Sequence, residues 1–173
     1  PRIYVIVSAP FVIPDFAPAM PEIVLLVLAC VVLLVDVNQP PERRAVTYWM
    51  TQVALLITGI CVVESYDADT MMTFAGSFKL DALAVVLKLA IVGVSISVLA
   101  YSRDYLEARG LMKGEYFLLA LFAVLGMFVL VSASSMLTIY LGLELVSLSL
   151  YAMVAMDRDS GEASEAAMKF FVL

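Results

Sequence analysis

A polytopic all-α bundle of transmembrane helices is the fold the sequence predicts, and three observations predict it. Apolar residues make up 64% of the chain against 15% charged, with a mean hydropathy of +1.03. That is too little charge for the solvated shell of a water-soluble domain of 173 residues. The charges are also crowded into short segments between long uncharged runs. Finally, those runs have the length a helix needs, roughly 20 residues, to cross about 30 Å of hydrocarbon.

Residues 1–20 read as an N-terminal extension at the outer interface. Arg2, the apolar run from Ile3 to Val7 and Ala17-Pro18-Ala19 imitate a signal peptide with an A-x-A cleavage site, but Pro10 and Pro14 interrupt the apolar core such a peptide needs. The first span is expected over 21–37, where Pro21 and Glu22 suit a helix start and Asp36 lies near the end. The second is expected over 45–63, between Arg44 and Glu64, and the third over 80–102, interrupted only by Asp81 and Lys88. From Tyr116 to Met156 the only charge is Glu144. One helix of that length would measure about 61 Å, so it must be two spans. Ser132, Ser134 and Ser135 offer local hydrogen bonds to a turning backbone. The break there gives spans over 115–131 and 136–156. A polar stretch follows, and 164–173 opens a sixth helix that covers half a bilayer. Because the chain starts at Pro1 without a methionine and stops inside that helix, it reads as the N-terminal fragment of a longer protein.

Composition excludes several functions. A net charge of -6 and the lack of any basic cluster argue against nucleic acid as a partner. Histidine is missing, and Cys30 and Cys61 stand alone in apolar runs, so the chain offers no ligands for haem, iron–sulfur or His-based zinc sites. The two thiols read as packing residues. Short cytoplasmic loops are enriched in Lys and Arg. Arg43, Arg44, Arg103, Arg109, Lys113 and Arg158 all fall on one side of the predicted spans, against Arg2 and Lys79 on the other. The N-terminus is therefore expected outside.

Glu144 is the most informative residue, about 12 Å from the start of the fifth helix and so near the bilayer middle. Desolvation favours its neutral form and a nearby cation its charged form, so a movable lysine could switch it between holding and releasing a proton. Tyr140, Ser147 and Tyr151 share its helix face at i−4, i+3 and i+7 and could hold a short water chain. Lys169 is the second candidate, with a stem long enough to snorkel to the interface. Lys88 and Asp81 share a face of helix three but are about 10 Å apart along it, too far to pair. Lys88 therefore needs a partner on another helix, or water, and a proton path through it is weighed against an ion pair that orients the bundle.

The ordered motifs Gly114-Glu115-Tyr116-Phe117-Leu118-Leu119, Tyr140-Leu141-Gly142-Leu143-Glu144-Leu145-Val146-Ser147-Leu148, Tyr151 and Ser164-Glu165-Ala166-Ala167-Met168-Lys169-Phe170, with the Pro21-Glu22-Ile23 opening, carry a family resemblance. From about Phe16 to Leu173 the chain resembles the subunit N family of bacterial NADH:quinone oxidoreductase, respiratory complex I, within the antiporter-like membrane subunits. The resemblance implies a proton-translocating subunit of that enzyme in the bacterial inner membrane, of which this chain holds the first five helices and part of the sixth. It makes Glu144 the family's helix-five glutamate and Lys169 its helix-six lysine, with a helix-seven lysine as the partner of Glu144 beyond Leu173. It places NADH, flavin, iron–sulfur clusters and quinone in partner subunits, with none in this chain, and implies other membrane subunits of complex I and the lipid bilayer as partners. Two departures stand out. Leu148-Ser149-Leu150 lacks a proline common in relatives, and Phe170 stands where tyrosine is usual. Rival readings are a subunit of a multi-subunit cation/proton antiporter and a structural membrane scaffold.

Overall fold

The computed structural model describes residues 15–39, 44–66, 71–110, 112–156 and 161–172. A short 3-10 turn, Ala17–Ala19, leads into α1, Met20–Asn38. The Asp15 carboxylate accepts from the Ala17 N–H at 3.0 Å, and Pro21 occupies the first turn of α1, where its missing N–H costs nothing. Helix α2, Arg44–Glu64, returns alongside α1. The buried hydroxyls of Thr51 and Thr58 donate to the carbonyls of Thr47 and Ala54 one turn earlier, which lets an apolar helix carry them without an orphaned polar group. The first 14 residues, and with them most of the expected extension, lie outside the described residues, as do Arg43 and Arg158.

Between α2 and the next helix is an element absent from the sequence-based reading. Strands β1, Met71–Thr73, and β2, Phe78–Leu80, pair antiparallel with Met71 opposite Leu80 and Thr73 opposite Phe78. Phe74, Ala75 and Gly76 all take positive φ in the connecting turn. The third span consequently starts later than expected. Leu80 belongs to the hairpin, and α3 runs Ala82–Ala108 because the Asp81 side chain accepts from the Ala84 N–H at 2.8 Å and caps the helix. At its other end α3 continues past Ser102 through Arg103 to Ala108, a length of about 40 Å that carries it out of the hydrocarbon. The Arg103 guanidinium lies 5.1 Å from the Tyr48 ring centre of α2. Gly110, at φ 65, closes that end in the left-handed conformation that favours glycine.

Helices α4, Gly114–Ser132, and α5, Met136–Val154, are separated by the serine-rich break expected from the sequence. Ser135 caps α5, its hydroxyl accepting from the Thr138 N–H at 3.2 Å. Helix α5 stops two residues short of the expected Met156, whose carbonyl accepts from Lys113 Nζ at 3.3 Å. Helix α6, Gly161–Val172, starts three residues earlier than expected.

The core gathers α1, α2, α3 and α4, with Leu25, Leu55, Val92, Leu121 and Phe128 at its centre. Helix α5 packs on α4, and α6 on α5. Among the described residues, five helices are long and apolar enough to cross a membrane, so the chain is a multi-span membrane protein.

Candidate functional site

Glu144, Lys169 and Lys88, the ionisable residues singled out from the sequence, all lie among the described residues. The first is Glu144, mid-way along α5. Gly142 and Val146, two residues to either side, pack against α4, so Glu144 lies on the face of α5 turned away from α4. Its side chain is half-buried, with no hydrogen bond or ion pair among the described residues. Around it that face is apolar and exposed, through Leu137, Leu141 and Leu148. Of the hydroxyls expected beside it, Tyr140 is 58% exposed, Ser147 is half-buried, and Tyr151 packs edge-on against Phe170 and Phe171 of α6 at 5.1 and 5.5 Å. The aromatic contact with α6 is thus made by Phe170 as it stands.

Lys169, the second group, pairs with Glu165 one turn earlier at 2.6 Å, both side chains more than 60% exposed. An exposed i,i+4 pair of this kind contributes little to stability. The structure does not bring Lys169 and Glu144 together.

The third group is Lys88, which is wholly buried. Its partner is not Asp81, which pairs with Lys79 at 2.8 Å, but Glu22 in the first turn of α1, whose Oε1 lies 2.5 Å from the ammonium. The Lys79 ammonium, together with the Ala84 N–H, holds the Asp81 carboxyl below the usual carboxylate range. Two aromatic rings complete the enclosure of Lys88, Phe78 from β2 at 5.2 Å and Phe128 from α4 at 5.6 Å. Reading the sequence identified the need of Lys88 for a partner on another helix but took Glu22 only as a helix-start residue. The available signal was an acidic residue just inside an apolar span, matched by one lysine at similar depth in another.

At the opposite end of the bundle the Asp36 carboxylate accepts from the Thr47 hydroxyl at 2.7 Å and lies against Gly114, where it fills the place a Cβ would take. A negative charge at the first residue of α4 suits the unpaired N–H groups there.

Among the described residues, fold and site together define a polytopic membrane protein with a buried, paired acid in α1 and a half-buried, unpaired acid in α5. Residues 11–104 match the family model described as NAD(P)H-quinone oxidoreductase subunit 2 N-terminal, and 133–173 match NADH:quinone oxidoreductase/Mrp antiporter, TM. The chain belongs to the NAD(P)H-quinone oxidoreductase subunit 2 N-terminal family. It is similar to NADH-quinone oxidoreductase subunit N of Alkalilimnicola ehrlichii, 52% identical over 94% of this chain and 33% of that protein. It is 51% identical to the subunit of the same name from Hydrogenovibrio crunogenus, over 94% of this chain and 34% of that one. The chain therefore spans about a third of the length of these relatives. Among solved structures it is similar to a chain of respiratory complex I from Thermus thermophilus with bound aureothin, with a TM-score of 0.70 and 24% identity over 88% of this chain and 32% of that one, a likeness of fold.

Proposed function

We propose that the chain is part of a proton-translocating membrane subunit of an NADH:quinone oxidoreductase, in which Glu144 holds and releases a proton as the charge around it changes. The observation that carries this reading is the setting of Glu144, an acid on an apolar span face with no partner among the described residues. In this reading a cation brought by another helix favours the carboxylate of Glu144, and its withdrawal favours the acid. A site with those two states takes up and gives off a proton whenever the cation moves. The relatives' names support quinone reduction as the driving reaction. The family model spanning Glu144 and Lys169 also covers Mrp antiporters, and the half-identical relatives favour the oxidoreductase over the antiporter.

In this reading NADH, flavin, iron–sulfur clusters and quinone are held by partner subunits, and this chain contributes charge and structure to the membrane arm. The membrane is the bacterial inner membrane, with the N-terminus and residues 1–20 on the periplasmic side. Tyr140, Ser147 and Tyr151 line the approach to Glu144, and Lys169 exchanges charge nearer the interface.

Glu144→Gln in the intact complex tests this, since Gln keeps the shape but cannot ionise. Proton translocation per NADH oxidised, normalised to assembled complex, should fall in Glu144→Gln and fall less in Glu144→Asp. Wild-type stoichiometry in Glu144→Gln would make the residue structural and leave a membrane scaffold as the better reading.

A further inference from the structure

Lys88 is the most enclosed charge among the described residues, and four elements meet on its ammonium: α3 supplies it, α1 the Glu22 carboxylate, β2 the Phe78 ring and α4 the Phe128 ring. Phe128 is itself fully buried. The second carboxylate oxygen, Glu22 Oε2, has no hydrogen-bond partner among the described residues. The two groups placed over the ammonium besides Glu22 are aromatic rings, which neither donate nor accept a proton, and α4 stands between α3 and α5. This is poor construction for a proton carrier and good construction for a pin.

What the pin holds is the helix that carries α5. Gly126 lies two residues from Phe128, hence on the opposite face of α4. There it packs against Gly142 and Val146, the residues flanking Glu144. A second connection runs through the hairpin, where Phe78 forms a β-bridge with Ala133 and the Ser134 N–H donates to the Ser77 carbonyl at 3.0 Å, directly before the Ser135 cap of α5. Both the middle and the start of α5 are therefore fixed by elements that touch the Lys88 ammonium.

We propose that the Glu22–Lys88 pair is a positioning device for Glu144, setting the rotation of α4 and the seat of the α4–α5 turn so that the helix-five carboxylate faces its partner at a fixed depth. The inference rests on the functional reading of Glu144 given above. Lys88 and Glu22 move no proton themselves; their charges matter because they lock α1, α3, α4 and the hairpin in one arrangement.

The experiment compares Lys88→Met, Glu144→Gln and the double variant in the intact complex, scored as protons translocated per NADH oxidised and normalised to assembled complex. Lys88→Met should remove part of the translocation that Glu144→Gln removes, and nothing further in the Glu144→Gln background, since residues acting through one group are not additive. Exchanging the charges, Glu22→Lys with Lys88→Glu, should restore translocation over Lys88→Met. Wild-type stoichiometry in Lys88→Met beside a loss in Glu144→Gln would overturn the positioning role and leave the reading of Glu144 standing. A further loss in the double variant would overturn it too, by making Lys88 a carrier in its own right. No loss in Glu144→Gln would instead sink the functional reading. If Lys88→Met fails to assemble, Phe128→Leu, which keeps the pair but removes the ring between the ammonium and α4, decides the matter by the same two comparisons.

Discussion

At the scale of single residues, two glutamates in apolar helices have opposite surroundings. Glu22 is buried against a lysine, whereas Glu144 faces an apolar, uncovered flank without a cation among the described residues. A buried pair broken on one side is strongly destabilising, so Glu22 and Lys88 are bound to each other energetically whatever else they do. The contact that places Glu144 depends on two glycines. A Cβ on Gly126 would stand 2.7 Å from Val146 Cγ2, 2.9 Å from the Val146 amide nitrogen and 3.0 Å from the Gly142 carbonyl. The valine methyl can turn away, but the backbone atoms cannot. Close approach through small residues is how helices gain packing energy in lipid, where there is no hydrophobic drive between them. Gly126→Ala should therefore push α5 off α4 at a cost on the order of 1–3 kcal/mol, seen as release of the subunit from the complex at lower temperature on native gels. Gly93→Ala on α3 is the control. Nothing lies within 4 Å of a Cβ there, so it should leave release unchanged or raise its temperature slightly. The place of Glu144 inside an apolar span was legible in the sequence because a single acid in a long apolar run marks itself. The partner of Lys88 was not, because pairing between distant helices leaves no periodic trace in either one.

At the scale of elements, hydrophobic run length located the spans, and chemistry at their ends decided where they begin. The α4–α5 break was legible because three serines interrupt an otherwise continuous apolar run. The start of α3 was not. Leu80 is apolar and adjoins the run, yet it is paired with Met71 in the hairpin, and the Asp81 cap fixes the first helical residue at Ala82. The hairpin itself was hidden by its size, since each strand has three residues and the alternation of Phe78-Lys79-Leu80 is too short to stand out. Its turn carries strain, since Phe74 and Ala75 take φ of 53 and 54. Ala75→Gly should relieve a left-handed penalty of about 1 kcal/mol, raising the temperature at which the subunit is released. An unchanged or lower temperature would mean that the Ala75 methyl contributes contacts worth as much as the strain.

At the scale of the whole molecule, the bundle has two chemically distinct ends. One gathers Glu22, Lys88, the hairpin and the α4–α5 turn, and the other gathers Asp36, Thr47, Arg103, Arg109 and Lys113. If the basic end is cytoplasmic, single cysteines at Ser65 and Arg109 in an otherwise cysteine-free protein should be labelled by an impermeant reagent from opposite faces of the membrane. Labelling from the same face would contradict the path of α3 through the bilayer. In the proposed reading, another helix supplies both the cover and the cation for the exposed apolar face of α5 around Glu144. The central claim is that Glu144 changes its protonation state during turnover. The most direct test is infrared difference spectroscopy of the intact complex, NADH-reduced minus oxidised, in wild type and in Glu144→Gln. The account predicts a carboxylic C=O band in the wild-type difference spectrum that is missing from the variant; superimposable spectra in that region would contradict it.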